Sequence, residues 1–349
     1  MTKKRFLNIS IITAALVVLA IISINLNTSN YGFENRGKLF LDNFTKNVNE
    51  ITTISIRSFE NNINLVKQNN SYISESSYPL KKGLWENLIT SLSLLRIEEL
   101  KTSDPSRHSQ LNLLLPEQNK SKDEDEGYGT KITLKKEDGT IYSSILFGMV
   151  DRSVGGISGG QFARFPNEDQ TYLLKGAIRM PTTKSDWFES LLLSIKKDDV
   201  QKINLSNKNG IIEIQSKDDK LSLTMPKSVN FKIDDTQLSD ARDVINSFYF
   251  YDVKKSTQKY SKNLPALSYE VKDGLILTIS SINPDDGGES WVIINAKSKN
   301  KKSEKIAQEI TEKTQGYEFL ANIITSDILR WKLRAVSYTH LTLPTILLV

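Results

Sequence analysis

The heptapeptide ITTISIR, residues 51–57, alternates apolar and polar side chains, the pattern of a β-strand with one buried face. The same alternation returns in VQKINLS, residues 200–206. A short polar turn and a second strand-like run follow each of them, INLVKQ (63–68) in one case and IIEIQS (211–216) in the other. Because the order of the segments is the same, we predict that the chain contains two related halves.

Helical and hairpin patterns continue this correspondence. Apolar residues at spacings of three and four predict one helix face in each half: Leu84, Leu88, Leu92 and Leu95, then Leu238, Ala241, Ile245 and Phe248. Each half then has a strand–turn–strand pattern, with Asp138-Gly139 or Asp273-Gly274 at the turn. These dipeptides favour type I′ hairpin turns, whose central residues need positive φ.

The predicted fold class is α+β: a single N-terminal transmembrane helix followed by two β-rich α+β repeats. The predicted divisions are a cytoplasmic stub (1–5), a transmembrane anchor (6–26), a juxtamembrane linker (27–48), a first repeat (49–197), a second repeat (198–334) and a tail (335–349).

The anchor prediction rests on the stretch Phe6–Leu26, which contains no charged residue. A helix of this length spans roughly 30 Å, the thickness of a bilayer core. Lys3, Lys4 and Arg5 precede it and favour a cytoplasmic N-terminus. Residues 22–26 form a poor signal-peptidase site, so we expect an uncleaved anchor with the main domain outside the cytoplasm.

Composition narrows the classes of function. The net charge is +5, and the three basic residues before the anchor account for three of these charges, leaving about +2 for the rest. That balance argues against nucleic acid as a partner. The chain has no Cys and only two His, which excludes disulfides and cysteine lipidation and argues against a metal cluster; we expect no cofactor.

Several segments resemble the bacterial domain of unknown function 4340 (DUF4340) family. They are LWENLITSLSLLRIEELKTSDPSRHSQLNL (84–113), ITLKKEDGTIYSSILFG (132–148), GGQFARFPNEDQTYLL (159–174) and DWFESLLLSI (186–195). The resemblance is closest between Tyr78 and Leu205 and extends more loosely to Trp331. It implies an N-terminal membrane anchor and the company of permeases and auxiliary proteins of gliding-type ABC transporters. It implies no catalytic residue.

His108 is the first candidate for chemistry, as a general base. Such a base needs a substrate proton within reach and usually an orienting partner. The matching family position is commonly aromatic, so we interpret His108 as a packing residue after a helix and expect His108→Tyr to be tolerated.

Three further patterns also have a structural interpretation. SVGGISGGQF (153–162) lacks the Lys and Ser/Thr of a phosphate-binding loop and stands between predicted strands. The acidic loops 123–129 and 285–289 lack the spacing of a calcium-binding EF-hand. Asp186 and Glu189 could form a catalytic carboxylate pair, although helix capping and surface exposure are the favoured interpretation.

The segment 335–349 contains no Lys, Arg, Asp or Glu, and VSYTHLTLPT (336–345) matches a translated transposase sequencing adaptor. We interpret 335–349 as a sequencing-adaptor artefact, which would remove His340 from any functional argument.

These observations favour a non-enzymatic accessory or assembly subunit of a gliding-type ABC transport system. It would be a single-pass bacterial inner-membrane protein with a periplasmic domain and a permease as partner. The alternative is an extracytoplasmic binding module for polysaccharide or another envelope ligand. A carboxylate-based hydrolase is the third hypothesis. The sequence predicts no catalytic, cofactor-binding or metal-binding residue.

Overall fold

The computed structural model describes most of the chain downstream of the predicted anchor. The described residues are 13–20, 22, 33–59, 61–118, 126–154, 156, 159–217, 220–225, 235–257, 260, 263–283 and 288–331. They fall into two compact units. The first contains the described residues up to Glu75 and Pro79–Trp187, and the second contains Ser76–Tyr78 and the described residues from Phe188 onward.

The first unit is built on an eight-stranded antiparallel sheet. Its strands are β1 (Ile51–Arg57), β2 (Asn62–Gln68), β3 (Ser71–Ser74), β4 (Arg96–Leu100), β5 (Thr130–Lys136), β6 (Ile141–Asp151), β7 (Gly160–Arg164) and β8 (Thr171–Lys175). Their order in the sheet is β3-β2-β1-β5-β6-β7-β8-β4. The short helix α1 (Phe44–Asn47) precedes β1, and α2 (Leu84–Leu94) lies between β3 and β4.

The second unit is built on a nine-stranded antiparallel sheet. Its strands are β9 (Leu191–Leu193), β10 (Val200–Asn207), β11 (Gly210–Lys217), β12 (Lys220–Met225), β13 (Phe248–Lys255), β14 (Ala266–Val271), β15 (Leu275–Ser281), β16 (Trp291–Ser298) and β17 (Tyr317–Ala321). The sheet order is β12-β11-β10-β14-β15-β16-β17-β13-β9. The helices are α3 (Asp235–Asp243), α4 (Lys301–Thr314) and α5 (Ile323–Leu329).

The two sheets have the same strand order, apart from the extra β9. The correspondence extends to single residues, because Ser55 lies opposite Thr133 in the first sheet and Asn204 lies opposite Ser268 in the second. A register shift also falls at the same position of β1 and β10, after Ile51 and after Val200. A bulge placed identically in two strands is a specific feature, so the two sheets are built on one repeated plan.

Buried and more exposed side chains alternate along the strands, and the buried ones form the core of the first unit. Ile54 and Ile56 of β1 are fully buried, together with Leu65, Ile132, Leu134 and Ile145 on neighbouring strands. Leu88 and Leu92 of α2 are also buried, as the three- and four-residue spacing predicts. Phe40, Leu41 and Phe44, from the segment expected to be a linker, are buried as well.

The repeats differ between their last two strands. Residues 165–170 join β7 to β8, whereas the 14-residue helix α4 lies between β16 and β17. In the first unit, part of the sheet is instead covered by the segment between β4 and β5. Leu113 of that segment is buried with Leu146, Phe162 and Leu173, and Leu111, Leu115 and Val154 pack against them.

An aromatic cluster occupies the core of the second unit around Tyr78. Its ring centroid lies 4.9 Å from that of Tyr317 and 5.5 Å from that of Phe250, in edge-to-face arrangements. The Tyr78 ring is 4% exposed. Burial, with the charges of Tyr317 and Glu189 adding to it, raises the pKa of Tyr78 to about 12.

Two local predictions differ from the structure. Only Gly139 of the first turn has positive φ, because Lys136 and Thr140 flank a three-residue loop with glycine in the left-handed position. Asp273 and Gly274 of the second turn both have positive φ, as expected. The second predicted helix is shorter than its apolar pattern, since α3 ends at Asp243 and the buried Phe248 begins β13.

Of the predicted anchor Phe6–Leu26, the structure describes residues 13–20 and 22, which are helical; its other residues lie outside the described part. No helix among the described residues is long and apolar enough to cross a membrane. The tail 335–349, with His340, also lies outside the described residues. The predicted domain limits therefore stay predictions.

Candidate functional site

One face of the first sheet is polar across four adjacent strands. Because successive side chains of a strand point to opposite faces, burying Ile54 and Ile56 places Ser55 and Arg57 on the other side. The neighbouring strands β2, β5 and β6 continue this polar face, and together the four strands form the floor of a groove with a volume of about 430 Å³. We call it the sheet groove. Its lining residues are Ser55, Arg57, Asn62, Asn64, Glu117, Lys131, Thr133, Lys135, Ile141, Ser144, Pro166 and Asn167.

A row of small hydrogen-bonding side chains crosses the floor. Strand register aligns Asn64, Ser55, Thr133 and Ser144, one from each of four neighbouring strands. The hydroxyl oxygens of Thr133 and Ser144 lie 3.1 Å apart. At about 4.8 Å between strands, the row is about 14 Å long. It offers both donors and acceptors, since hydroxyl and amide groups do both.

Charged side chains stand on either side of this row. Lys131 Nζ lies 2.7 Å from Glu117 Oε1, and Arg57 Nη1 lies 3.5 Å from the same oxygen. Burial disfavours the charged form of Glu117, but hydrogen bonding and the charges of Lys131 and Arg57 outweigh it, so the pKa of this carboxyl is lowered. Lys135 lines the groove beyond the hydroxyl row, and no carboxylate of the described residues pairs with it.

Two segments outside the floor form the wall of the sheet groove. Glu117 lies in the 3₁₀-helix Pro116–Gln118, and Pro166 and Asn167 lie in the connection from β7 to β8. The buried guanidinium of Arg164 ties these segments together. Its Nε donates to the carbonyl of Leu113 at 2.9 Å, and its Nη1 donates to the carbonyl of Pro166 at 3.0 Å.

Arg164 also donates at 3.3 Å to the carbonyls of Phe165 and Glu168. Burial lowers the pKa of Arg164, and the charge of Asp169 partly opposes this shift. A buried charge is costly unless its hydrogen-bonding groups are satisfied. Arg164 is therefore a positioning residue, which holds the wall through four backbone carbonyls. In the sequence it lies in GGQFARFPNEDQTYLL (159–174), one of the segments that resemble the DUF4340 family.

His108 has a related role. The imidazole is 4% exposed, and its Nε2 lies 2.9 Å from the carbonyl oxygen of Asp169, in the same β7–β8 connection. Its backbone carbonyl accepts hydrogen bonds from Leu111 and Leu113. A general base needs access to a substrate proton, whereas this ring is buried and its Nε2 faces a backbone carbonyl. His108 joins the segment 108–113 to the wall.

The other candidates fall elsewhere. The connection 153–162, apart from 155, 157 and 158, which are not described, leads directly into β7 and not into a helix. Asp186 accepts hydrogen bonds from the backbone and hydroxyl of Thr183, and Glu189 is exposed in the second unit. Parts of both acidic loops, 123–125 and 285–287, lie outside the described residues. In the part of the chain that is described, no group of three acidic or His residues could hold a metal ion.

The equivalent face of the second sheet differs in charge. Its row is Glu213, Asn204, Ser268, Thr278 and Asn295, with the hydroxyls of Ser268 and Thr278 3.2 Å apart. Lys202 pairs with Glu213 at 2.6 Å and Lys299 with Glu270 at 3.0 Å. The hydroxyl pair is thus repeated, but the charged residues around it differ, and Lys297 also lies on this face, opposite Ile276.

Sequence reasoning missed the sheet groove. Its signal is the alternation of Ser, Asn, Thr and Lys with buried aliphatic residues in β1, β2 and β5, but single strands do not show which polar residues become neighbours. The alignment depends on register between segments that are distant in sequence.

Comparison with known proteins supplies the family. No curated protein and no solved structure matches the chain. One family matches residues 71–265, which include β3 to β13 and the wall-forming residues Glu117, Arg164 and Asn167. This match covers more than half of the 349 residues, so the chain belongs to the family described as Domain of unknown function (DUF4340).

Proposed function

We propose that this chain is a non-enzymatic binding module of the cell envelope, whose first unit binds an extended polysaccharide in the sheet groove. The observation that carries the proposal is the row of Asn64, Ser55, Thr133 and Ser144 beside charged side chains on an open sheet face. Sugar hydroxyls require a series of donors and acceptors along the ligand. A row about 14 Å long suits a short run of sugar units better than a compact metabolite.

A single-pass anchor would hold this module at the bacterial inner membrane with its main domain in the periplasm. The charge-free stretch Phe6–Leu26 and the preceding basic residues support this placement. In the described part of that stretch, the side chains of Leu16, Val17, Val18 and Leu19 are 52–60% exposed. Consecutive exposed apolar side chains on a helix suit contact with lipid.

Ligand-dependent thermal stabilisation tests the binding proposal. The full-length protein in nanodiscs is heated with each member of a panel of neutral and acidic polysaccharides. We expect at least one to raise the unfolding temperature, and Thr133→Val with Ser144→Ala to abolish the shift. The matched control is Ser268→Ala with Thr278→Val, which removes the equivalent hydroxyl pair of the second unit. No shift with any polysaccharide, or equal loss in both double variants, would refute the proposal.

The second candidate function is that of an accessory or assembly subunit of a gliding-type ABC transport system. Membership of the DUF4340 family favours it, since the resemblance implies transporter components as partners. Crosslinking and affinity purification from native membranes should recover a permease. Failure to recover one in repeated preparations would count against this candidate without affecting the test of the groove.

A further inference from the structure

The charges of the sheet groove specify its ligand further. Arg57, Lys131 and Lys135 contribute three positive charges to the groove lining and Glu117 one negative charge. Glu75 adds a second negative charge beside the floor, because it accepts a hydrogen bond from Asn64 at 2.7 Å, and the net charge is +1. On the equivalent face of the second unit, Lys202 pairs with Glu213 and Lys299 with Glu270, and Lys297 lies opposite Ile276. By register, Ala266 and Glu270 of β14 occupy the positions of Lys131 and Lys135 of β5, so the two lysines that flank the hydroxyl pair belong to the first unit and not to the repeated plan.

The cations are spread out and do not converge on one point. Lys131 and Lys135 lie four residues apart on β5, so their Cα atoms are about 13 Å apart. The neutral hydroxyls of Thr133 and Ser144 lie between them. A small anion such as free phosphate is held by donors that meet around it. Separated cations with hydroxyl-binding groups between them instead suit a chain that carries negative groups at intervals.

The strands also restrict the kind of chain that can bind. β1 and β5, at the centre of the floor, use their backbone groups for pairing on both sides within the sheet. An extended peptide that adds to a sheet needs a free strand edge, which the groove floor does not provide. The ligand must therefore be recognised by side chains alone.

We infer that the sheet groove binds an acidic polysaccharide, with Lys135 on one side of the hydroxyl row and Arg57 and Lys131 on the other side contacting its negative groups. This inference rests on the proposed function and adds the ligand's charge. The carboxylate of Glu117 pairs with Arg57 and Lys131. It therefore competes with the ligand's negative groups for these two cations.

Matched pairs of probes test the inference. Oligogalacturonate is compared with its methyl ester, and dextran sulfate with dextran, by titration against the full-length protein in nanodiscs of neutral lipid. We expect the acidic member of a pair to bind more tightly, with an affinity that falls as salt is raised. Equal binding of acidic and neutral members would overturn the inference and leave the proposed function standing. Absence of binding by all four probes would count against both.

Adjacent residues of one strand provide the variants. Lys135→Gln should weaken binding of the acidic probe about fivefold, as expected for one exposed ion pair. Lys136→Gln is the control, because Lys136 makes the same charge change but pairs with Glu50 at 2.7 Å away from the groove. Glu117→Gln should strengthen binding by releasing Arg57 and Lys131. Equal effects of Lys135→Gln and Lys136→Gln, or weaker binding by Glu117→Gln, would overturn the placement.

Discussion

Replacing Arg164 by Met should destabilise the first unit more than any other single change at the wall of the sheet groove. Met keeps much of the length of the side chain but leaves the carbonyls of Leu113 and Pro166 without their donor, and removes two longer bonds to Phe165 and Glu168. Hydrogen bonds from a charged group contribute about 1.5 to 3 kcal/mol each. The cost of burying the guanidinium is relieved at the same time, so we expect a net loss of about 3 kcal/mol.

Thermal unfolding of the full-length protein measures this loss. In a unit of this size 1 kcal/mol corresponds to about 2 to 4 °C, so Arg164→Met should lower the midpoint by about 6 to 12 °C. Fluorescence can be confined to the first unit by keeping Trp85 and Trp187 and replacing Trp291 and Trp331 by Phe. The control is Arg107→Met, since Arg107 is exposed and its nearest carboxylate oxygen is 3.9 Å away. Similar small shifts in both variants would show that Arg164 does not hold the wall.

Three further predictions concern stability. Gly148→Ala should lower the free energy of unfolding by more than about 3 kcal/mol, because a Cβ there would lie 2.1 Å from the carbonyl oxygen of Leu111. Gly139→Ala should lower it by about 1 kcal/mol, since the position has open space but positive φ. Urea unfolding measures both losses. The raised pKa of Tyr78 makes its burial stabilising below pH 10 and progressively less so as the pH approaches 12. Tyr72, whose pKa is also about 12, gives both proteins a loss of stability in this range, so the loss should be about 2 to 3 kcal/mol smaller in Tyr78→Phe, and a pH-independent difference between the two proteins would contradict this. His108→Tyr keeps a ring and a donor for the carbonyl of Asp169, so its unfolding temperature should fall less than that of His108→Ala; equal losses would show that the hydrogen bond contributes nothing.

Local patterns predicted the elements of this fold well where one period dominates. The segment 51–57 coincides with β1, and its alternation of buried and more exposed side chains holds from Ile54 onward, beyond the register shift after Ile51. Leu88 and Leu92 lie on the buried side of α2. The pattern at Ile245 and Phe248 misled because a three-residue spacing continues past the end of α3, while FYFY (248–251) already alternates as a strand. Helices and strands both bury apolar side chains, so apolar spacing alone did not show where the helix ends and the strand begins.

The sheet groove could not be predicted in the same way. Ser55 becomes the neighbour of Thr133 only through pairing of β1 with β5, and Glu117 reaches Lys131 only because the segment after β4 folds over the sheet. These contacts depend on register and on the packing of Leu113 against Leu146 and Phe162, which no single stretch of sequence encodes. Arg164 did carry a signal in the sequence, since it lies in GGQFARFPNEDQTYLL (159–174), one of the segments that resemble the family.

Site-specific photocrosslinking in living cells tests the central claim most directly. A benzophenone amino acid replaces Asn62, at the rim of the sheet groove, or Ile211, which occupies the equivalent exposed position of the second unit. Binding of an acidic polysaccharide by the first unit predicts a carbohydrate-containing adduct from position 62 and none from position 211. Adducts that contain only protein at position 62, or carbohydrate adducts of equal yield at both positions, would contradict it.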